Sequence, residues 1–142
     1  MTMLLNPSPG EIFDRMTILR LKIAFGTVKG RTTKAWEDEQ AELSKLIKVA
    51  SIEIANIFER VKEQIDDKVE ELYGTNLIIW KLEDKLRALP ECDICTTAEL
   101  EDIAKTAKGI AKANDRRMEL VRDLNNLFNQ PNSATGAVKI YG

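Results

Sequence analysis

From Leu43 to Leu86 the apolar residues recur in helical phase, and no proline interrupts them before Pro90. The stripe passes through Leu46, Ile47, Ala50, Ile54, Ile57, Phe58, Val61, Ile65, Val69, Leu72, Tyr73, Leu77 and Trp80, with Gly74 its only weak link. Read literally, residues 33–89 form one helix of roughly 85 Å at ~1.5 Å per residue. That is far longer than its neighbours can cover. Either the chain bends or turns near Val49–Glu53 or Gly74, or a second copy covers the excess, and the pattern leaves both open.

The flanking segments are also helical. Ser8-Pro9-Gly10-Glu11 supplies an N-cap hydroxyl, a proline at the first helical position and a glutamate placed for a capping box. Behind it Ile12, Met16, Leu19 and Ile23 form one stripe, and Ile18, Leu21, Phe25 and Val28 a second, so a helix over about 9–29 is covered on more than one side and stops near Gly30. Thr32 and Thr33 offer caps for the next helix. Thr96 and Glu99 repeat the capping box before a last helix over about 97–129, with Leu100, Ile103, Ala107, Ile110, Ala111, Val121, Leu124 and Phe128 on one face. The tail 130–142 opens polar and ends Val138-Lys139-Ile140-Tyr141-Gly142, apolar enough to dock on the bundle. The expected fold is therefore all-α: a bundle of three or four helices, one of them very long or bent, in a single domain over 1–142 with a short extended tail.

Composition bounds the function. The chain has 142 residues, 44% of them hydrophobic and 31% charged, a globular profile. A formal charge of −2 gives no electrostatic case for nucleic acid. The charge is uneven: residues 1–33 carry five bases to two acids, and residues 34–73 carry eleven acids to six bases. Pairing of a basic first helix with an acidic second one is the plain reading. No apolar run reaches the ~20 residues of a membrane span, and the start lacks the form of a secretory signal, so the expected location is the cytoplasm of a bacterium or of a phage-infected cell. There is no histidine, which removes the usual neutral-pH base, so any enzyme here works through carboxylates and a metal. Cys92 and Cys95 lie in a connection around Pro90 with no second ligand pair for zinc, and read as structural or incidental.

Three polar patterns stand out, each with a plain alternative. Asn76, Trp80, Glu83 and Arg87 share the face that the apolar stripe occupies, so they either line a pocket or pair with one another, as Glu83 and Arg87 do at an i,i+4 spacing. Asn114 and Arg117 interrupt the apolar face of the last helix. Arg87 and Arg117 make an anion site if they face each other, and a salt-bridge network if Glu11, Asp14 or Glu83 stands between them. The start of the first helix adds exposed N–H groups, with Gly10 open to the approach of a ligand. Finally Glu39-x-x-Glu42 and Glu63-x-x-Asp66 resemble the Mg²⁺-binding pattern of all-helical, MazG-type nucleotide pyrophosphohydrolases.

Ser8-Pro9-Gly10-Glu11-Ile12-Phe13-Asp14-Arg15-Met16-Thr17-Ile18-Leu19, the Asn76…Trp80…Glu83-Asp84…Arg87 segment and Asn114-Asp115-Arg116-Arg117 together resemble a family of small all-helical proteins of unknown function from bacteria and phages, which Lys139 and Tyr141 extend into the tail. The resemblance implies the helical architecture and no set activity. In size, helical build and lack of an evident catalytic base the chain is also similar, as a class, to phage sponges that sequester nucleotide immune signals. The expectation is a non-enzymatic protein, without cofactor, that captures a small nucleotide-like or phosphorylated ligand and forms a homo-oligomer. Its ligand residues are Asn76, Trp80, Glu83, Arg87, Asn114, Arg117, Lys139, Tyr141, Glu11 and Asp14. The alternatives are the Mg²⁺-dependent pyrophosphohydrolase, using Glu39, Glu42, Glu63 and Asp66, and a structural or partner-binding helical protein.

Overall fold

A computed structural model describes residues 7–57, 59–91 and 95–129, the side chains of 49–57, 59 and 60 excepted. Among them the fold is all-α, with four helices and no strand: α1 (Pro9–Val28), α2 (Lys34–Ile57), α3 (Glu59–Ala88) and α4 (Thr97–Asn129). Among the described residues no helix is long and apolar enough to cross a membrane. The tail 130–142 lies outside the described residues.

The caps form as their residue types require. Ser8 Oγ accepts from Glu11 N at 3.2 Å and donates to the Glu11 carboxylate at 3.0 Å, and Pro9 occupies the first turn. At the far end Gly30 takes a left-handed φ of 70°, and Arg31 N closes on Gly26 O at 2.8 Å. Thr96 Oγ1 accepts from Glu99 N at 3.1 Å while Glu99 reaches back to Thr96 N at 3.0 Å, which starts α4.

The long stripe is two helices. Trp36 lies against Gly26, and Trp80 stacks on the adjacent Phe25 with ring centroids 5.3 Å apart. In one straight helix the two tryptophans would stand roughly 65 Å apart. The chain therefore reverses, with α2 antiparallel to α1 and α3 parallel to it. Gly74 plays no part in this, since α3 runs through it, and the division falls beyond Val49–Glu53. Neither helix alone hides its apolar face; folding both back on α1 does.

The shared core joins Ile12 and Phe13 of α1, Ile47 of α2, Val61, Ile65 and Leu72 of α3, and Leu120, Leu124 and Leu127 of α4. The Phe13 and Phe128 rings meet at 5.8 Å with their planes tilted by 51°. Three large members of the sequence stripes are exposed: Val28, Leu46 and Leu100, at 85%, 65% and 51%.

The basic first helix does pair with its acidic neighbours. Arg15 forks onto Glu39 of α2 at 2.7 and 2.8 Å, and Arg20 reaches Glu70 of α3 at 3.2 Å while covering the Tyr73 ring. Hydrogen bonding to Arg15, with its charge and that of Lys22, holds Glu39 below the ordinary carboxylate value of 4.5 against the opposing effect of desolvation. The Thr96 backbone and hydroxyl do the same for Glu99. Both groups are depressed in the folded state, so their stabilisation is complete above the unfolded value and is lost as pH falls through the folded one. With no histidine in the chain, circular-dichroism melts should show one midpoint between about pH 6 and 8 and a decline below about pH 4.5. A midpoint that moves between pH 6 and 8 contradicts this assignment.

Candidate functional site

Where α1, α3 and α4 meet, four polar side chains close on one another. Thr17 and Asp14 sit one turn apart on α1, and Thr17 Oγ1 donates to Asp14 O at 2.7 Å. From α3, the Asn76 amide donates to Asp14 Oδ1 at 2.9 Å and to Thr17 Oγ1 at 2.8 Å. From α4, Arg117 Nε donates to the Asp14 carboxylate at 2.9 and 3.1 Å, and Nη2 to its Oδ2. Thr17 and Asn76 are only 3% and 4% exposed, so an unmet hydrogen bond there would be costly. The side chains of Asp14 and Arg117 keep 13% and 30% exposure, which places the ion pair at the lip of the bundle. Hydrogen bonding to Asp14 raises the Arg117 guanidinium above its ordinary value against the effect of burial, and the charges of Asp14 and Glu83 act the same way.

Of the expected ligand residues, the structure thus joins Asp14, Asn76 and Arg117 and puts Glu83 within electrostatic reach. Asp14 pairs with Arg117 alone and does not stand between Arg117 and Arg87. Arg87 pairs with Asp84 instead, on the exposed flank of α3 beside a hollow of about 480 Å³ lined by Leu86, Leu89, Pro90, Glu91, Leu100 and Ile103. Arg87 and Arg117 line different hollows among the described residues. Trp80 is half-buried and its face is taken by Phe25. Asn114 is half-buried, one turn before Arg117. Lys139 and Tyr141 lie outside the described residues.

Glu11, Asp14 and Arg117 also line a groove of about 330 Å³ between α1 and α4, completed by Met118, Val121, Arg122 and Asn125. Gly10 is not open to a ligand here. Its N–H donates to Asn125 Oδ1 at 2.7 Å, and a Cβ on it would stand 2.3 Å from Val121 O. The glycine admits α4, and an asparagine takes the place foreseen for an anion. Asn125 and Thr17 were not singled out beforehand, although both put a polar group beside an apolar helical stripe, the pattern that marked Asn76 and Arg117.

The acidic quartet does not gather. Glu39 belongs to Arg15, Glu42 lies 3.5 Å from Lys45, Asp66 pairs with Lys62 at 2.7 Å, and Glu63 is exposed. Among the described residues no three Asp, Glu, His or Cys groups come together as a metal site. Cys95 is disulfide-bonded, and Cys92 lies outside the described residues. No family model, curated protein or solved structure matches the chain.

Proposed function

We propose that the chain is a non-enzymatic binding protein that holds a small phosphorylated, nucleotide-like ligand in the groove between α1 and α4. One observation carries this reading: Asp14 clamps Arg117 at the lip of that groove. A guanidinium has five N–H donors. The clamp uses two and fixes the plane of the rest, which is the preorganised fork that suits a phosphate. Asn125 accepts from Gly10 N–H through Oδ1 and keeps its NH₂ group for a second contact. Asn76, committed to Asp14 and Thr17, positions the clamp and does not read the ligand. Capture without turnover fits a chain without histidine, and among nucleotides it suits an immune signal sequestered by a phage sponge in the cytoplasm of an infected cell.

The test is retention. Purified protein is incubated with a panel of nucleotides and cyclic nucleotides and filtered, and the free and heat-released compound are quantified. Depletion with intact recovery is expected. Asn125→Asp keeps the oxygen that caps Gly10 and replaces the donor with a charge that repels phosphate. It should weaken retention at least ~10-fold with the fold unchanged, since a charge-assisted hydrogen bond is worth more than the ~1.4 kcal/mol of a tenfold change. Equal retention by the variant removes the groove from the reading. A panel left free and unchanged ends it altogether. New products would move attention to Glu39, Glu42, Glu63 and Asp66.

A further inference from the structure

The outer face of α4 carries an apolar row that no other helix covers along most of its length. At alternating spacings of four and three residues it runs from Leu100 through Ala104, Ala107, Ala111 and Asn114 to Met118. Leu100 and Met118 are 51% and 60% exposed, the three alanines are exposed and Asn114 is half-exposed. This is the seam spacing of a coiled coil, set beside the face that buries Thr106, Leu120 and Leu124. Along its outer edge, seven residues apart, stand Glu101, Lys108, Asp115 and Arg122. All four are exposed, and none forms an ion pair or hydrogen bond with the described residues. Their signs alternate along the helix.

We propose that this face pairs with the same face of a second copy of the chain, α4 against α4, antiparallel about a two-fold axis at Ala111. The charges select the occupant and its direction. Reversing the helix at this level sets Glu101 beside Arg122 of the second copy and Lys108 beside Asp115 of the second copy, so each of the four meets its opposite, twice over by symmetry. A parallel pairing would bring each charge level with its own like. The same register matches size along the seam. Ala104 meets Met118 of the second copy, Ala107 meets its Asn114, Leu100 meets its Val121, and Ala111 meets itself. Small residues at the centre let the helices approach closely, and the lone Asn114 disfavours slipped registers. The two hollows at the ends of the row, one at Leu100 and Ile103, the other at Met118 and Val121, are then laid over each other. The pairing does not rest on the proposed ligand, and it covers Met118, Val121 and Arg122 at the α4 side of the groove.

Sedimentation equilibrium of the full chain over a range of concentrations tests it. The expected mass is about 32 kDa, twice 16.0 kDa. Ala111→Glu places two carboxylates together on the axis and should raise the dimer Kd at least ~100-fold, since like charges facing each other across an interface are strongly unfavourable. The helical circular-dichroism signal should stay unchanged, because the site is exposed in the single chain. Lys108→Asp alone should weaken pairing about 10-fold, and Lys108→Asp with Asp115→Lys should restore it to within about 3-fold. A wild-type chain that stays at 16.0 kDa at every concentration overturns the proposal. So does a dimer indifferent to Ala111→Glu, or a double variant no tighter than the single one.

Discussion

Gly10→Ala should lower the thermal midpoint by roughly 10 °C, the largest loss expected from a methyl group added at any of the described glycines. The new Cβ would stand 2.3 Å from Val121 O and 2.9 Å from both Asn125 Oδ1 and Val121 Cγ1. The nearest of these is backbone, so no rotamer change relieves it and α1 must move off α4. That motion stretches the 2.7 Å bond from Gly10 N to Asn125, the only partner of that first-turn donor among the described residues. Overpacking costs about 1–3 kcal/mol and the lost bond about 1 more, while the helix preference of alanine returns less than ~1. A net of about 2–3 kcal/mol at ~4 °C per kcal/mol gives the stated shift. Gly74→Ala is the control: nothing lies within 4 Å of its Cβ, and in mid-helix it should gain up to ~1 kcal/mol. Thermal melts of both variants decide the matter. If Gly10→Ala melts with the wild type, the close approach of α1 and α4 is wrong.

The same two glycines show what the sequence could and could not reveal. The capping box at Ser8 and Glu11 was legible because capping is local, and it forms as read. Gly10 inside that box invited a ligand because a sequence shows which residue permits close approach but not which body approaches. Gly74 was marked as a place to bend, yet α3 passes through it. A reversal between two good helices needs no breaker residue; it follows from the apolar faces of α2 and α3 both needing α1, a tertiary demand that helical phase does not encode. At the site, Asp14, Asn76 and Arg117 were legible as polar groups on faces expected to be apolar. Which of them meet was not, because Asp14 and Arg117 are far apart in the chain and join only through the crossing of α1 and α4. Trp80 and Arg87 shared a helical face with Asn76, but Trp80 packs on Phe25 near the end of α1 and Arg87 turns to Asp84 on its own helix.

Asp14→Ala is expected to cost about 2–3 kcal/mol, more than any other single loss of a polar group in the described network. Removing the carboxylate takes the acceptor from both engaged Arg117 donors and one of the two bonds from the buried Asn76 amide. Breaking a fully buried pair typically costs about 3–5 kcal/mol because a charge is left stranded. Arg117 keeps 30% of its side-chain surface, so water offsets part of that. Asp14→Asn should cost less, since an amide oxygen still accepts from Arg117 Nε while the charge is lost. Urea melts of Asp14→Ala, Arg117→Ala and the double variant give the coupling energy, expected at about 1.5 kcal/mol or more in favour of the pair. If Asp14→Ala falls within about 0.5 kcal/mol of wild type, the junction is a solvated surface contact. The clamp then fixes nothing, and the case for Arg117 as a preorganised phosphate fork goes with it. If the coupling is present, the same clamp holds the bundle shut and aims the arginine, and only retention of ligand by Asn125→Asp tells the second role from the first.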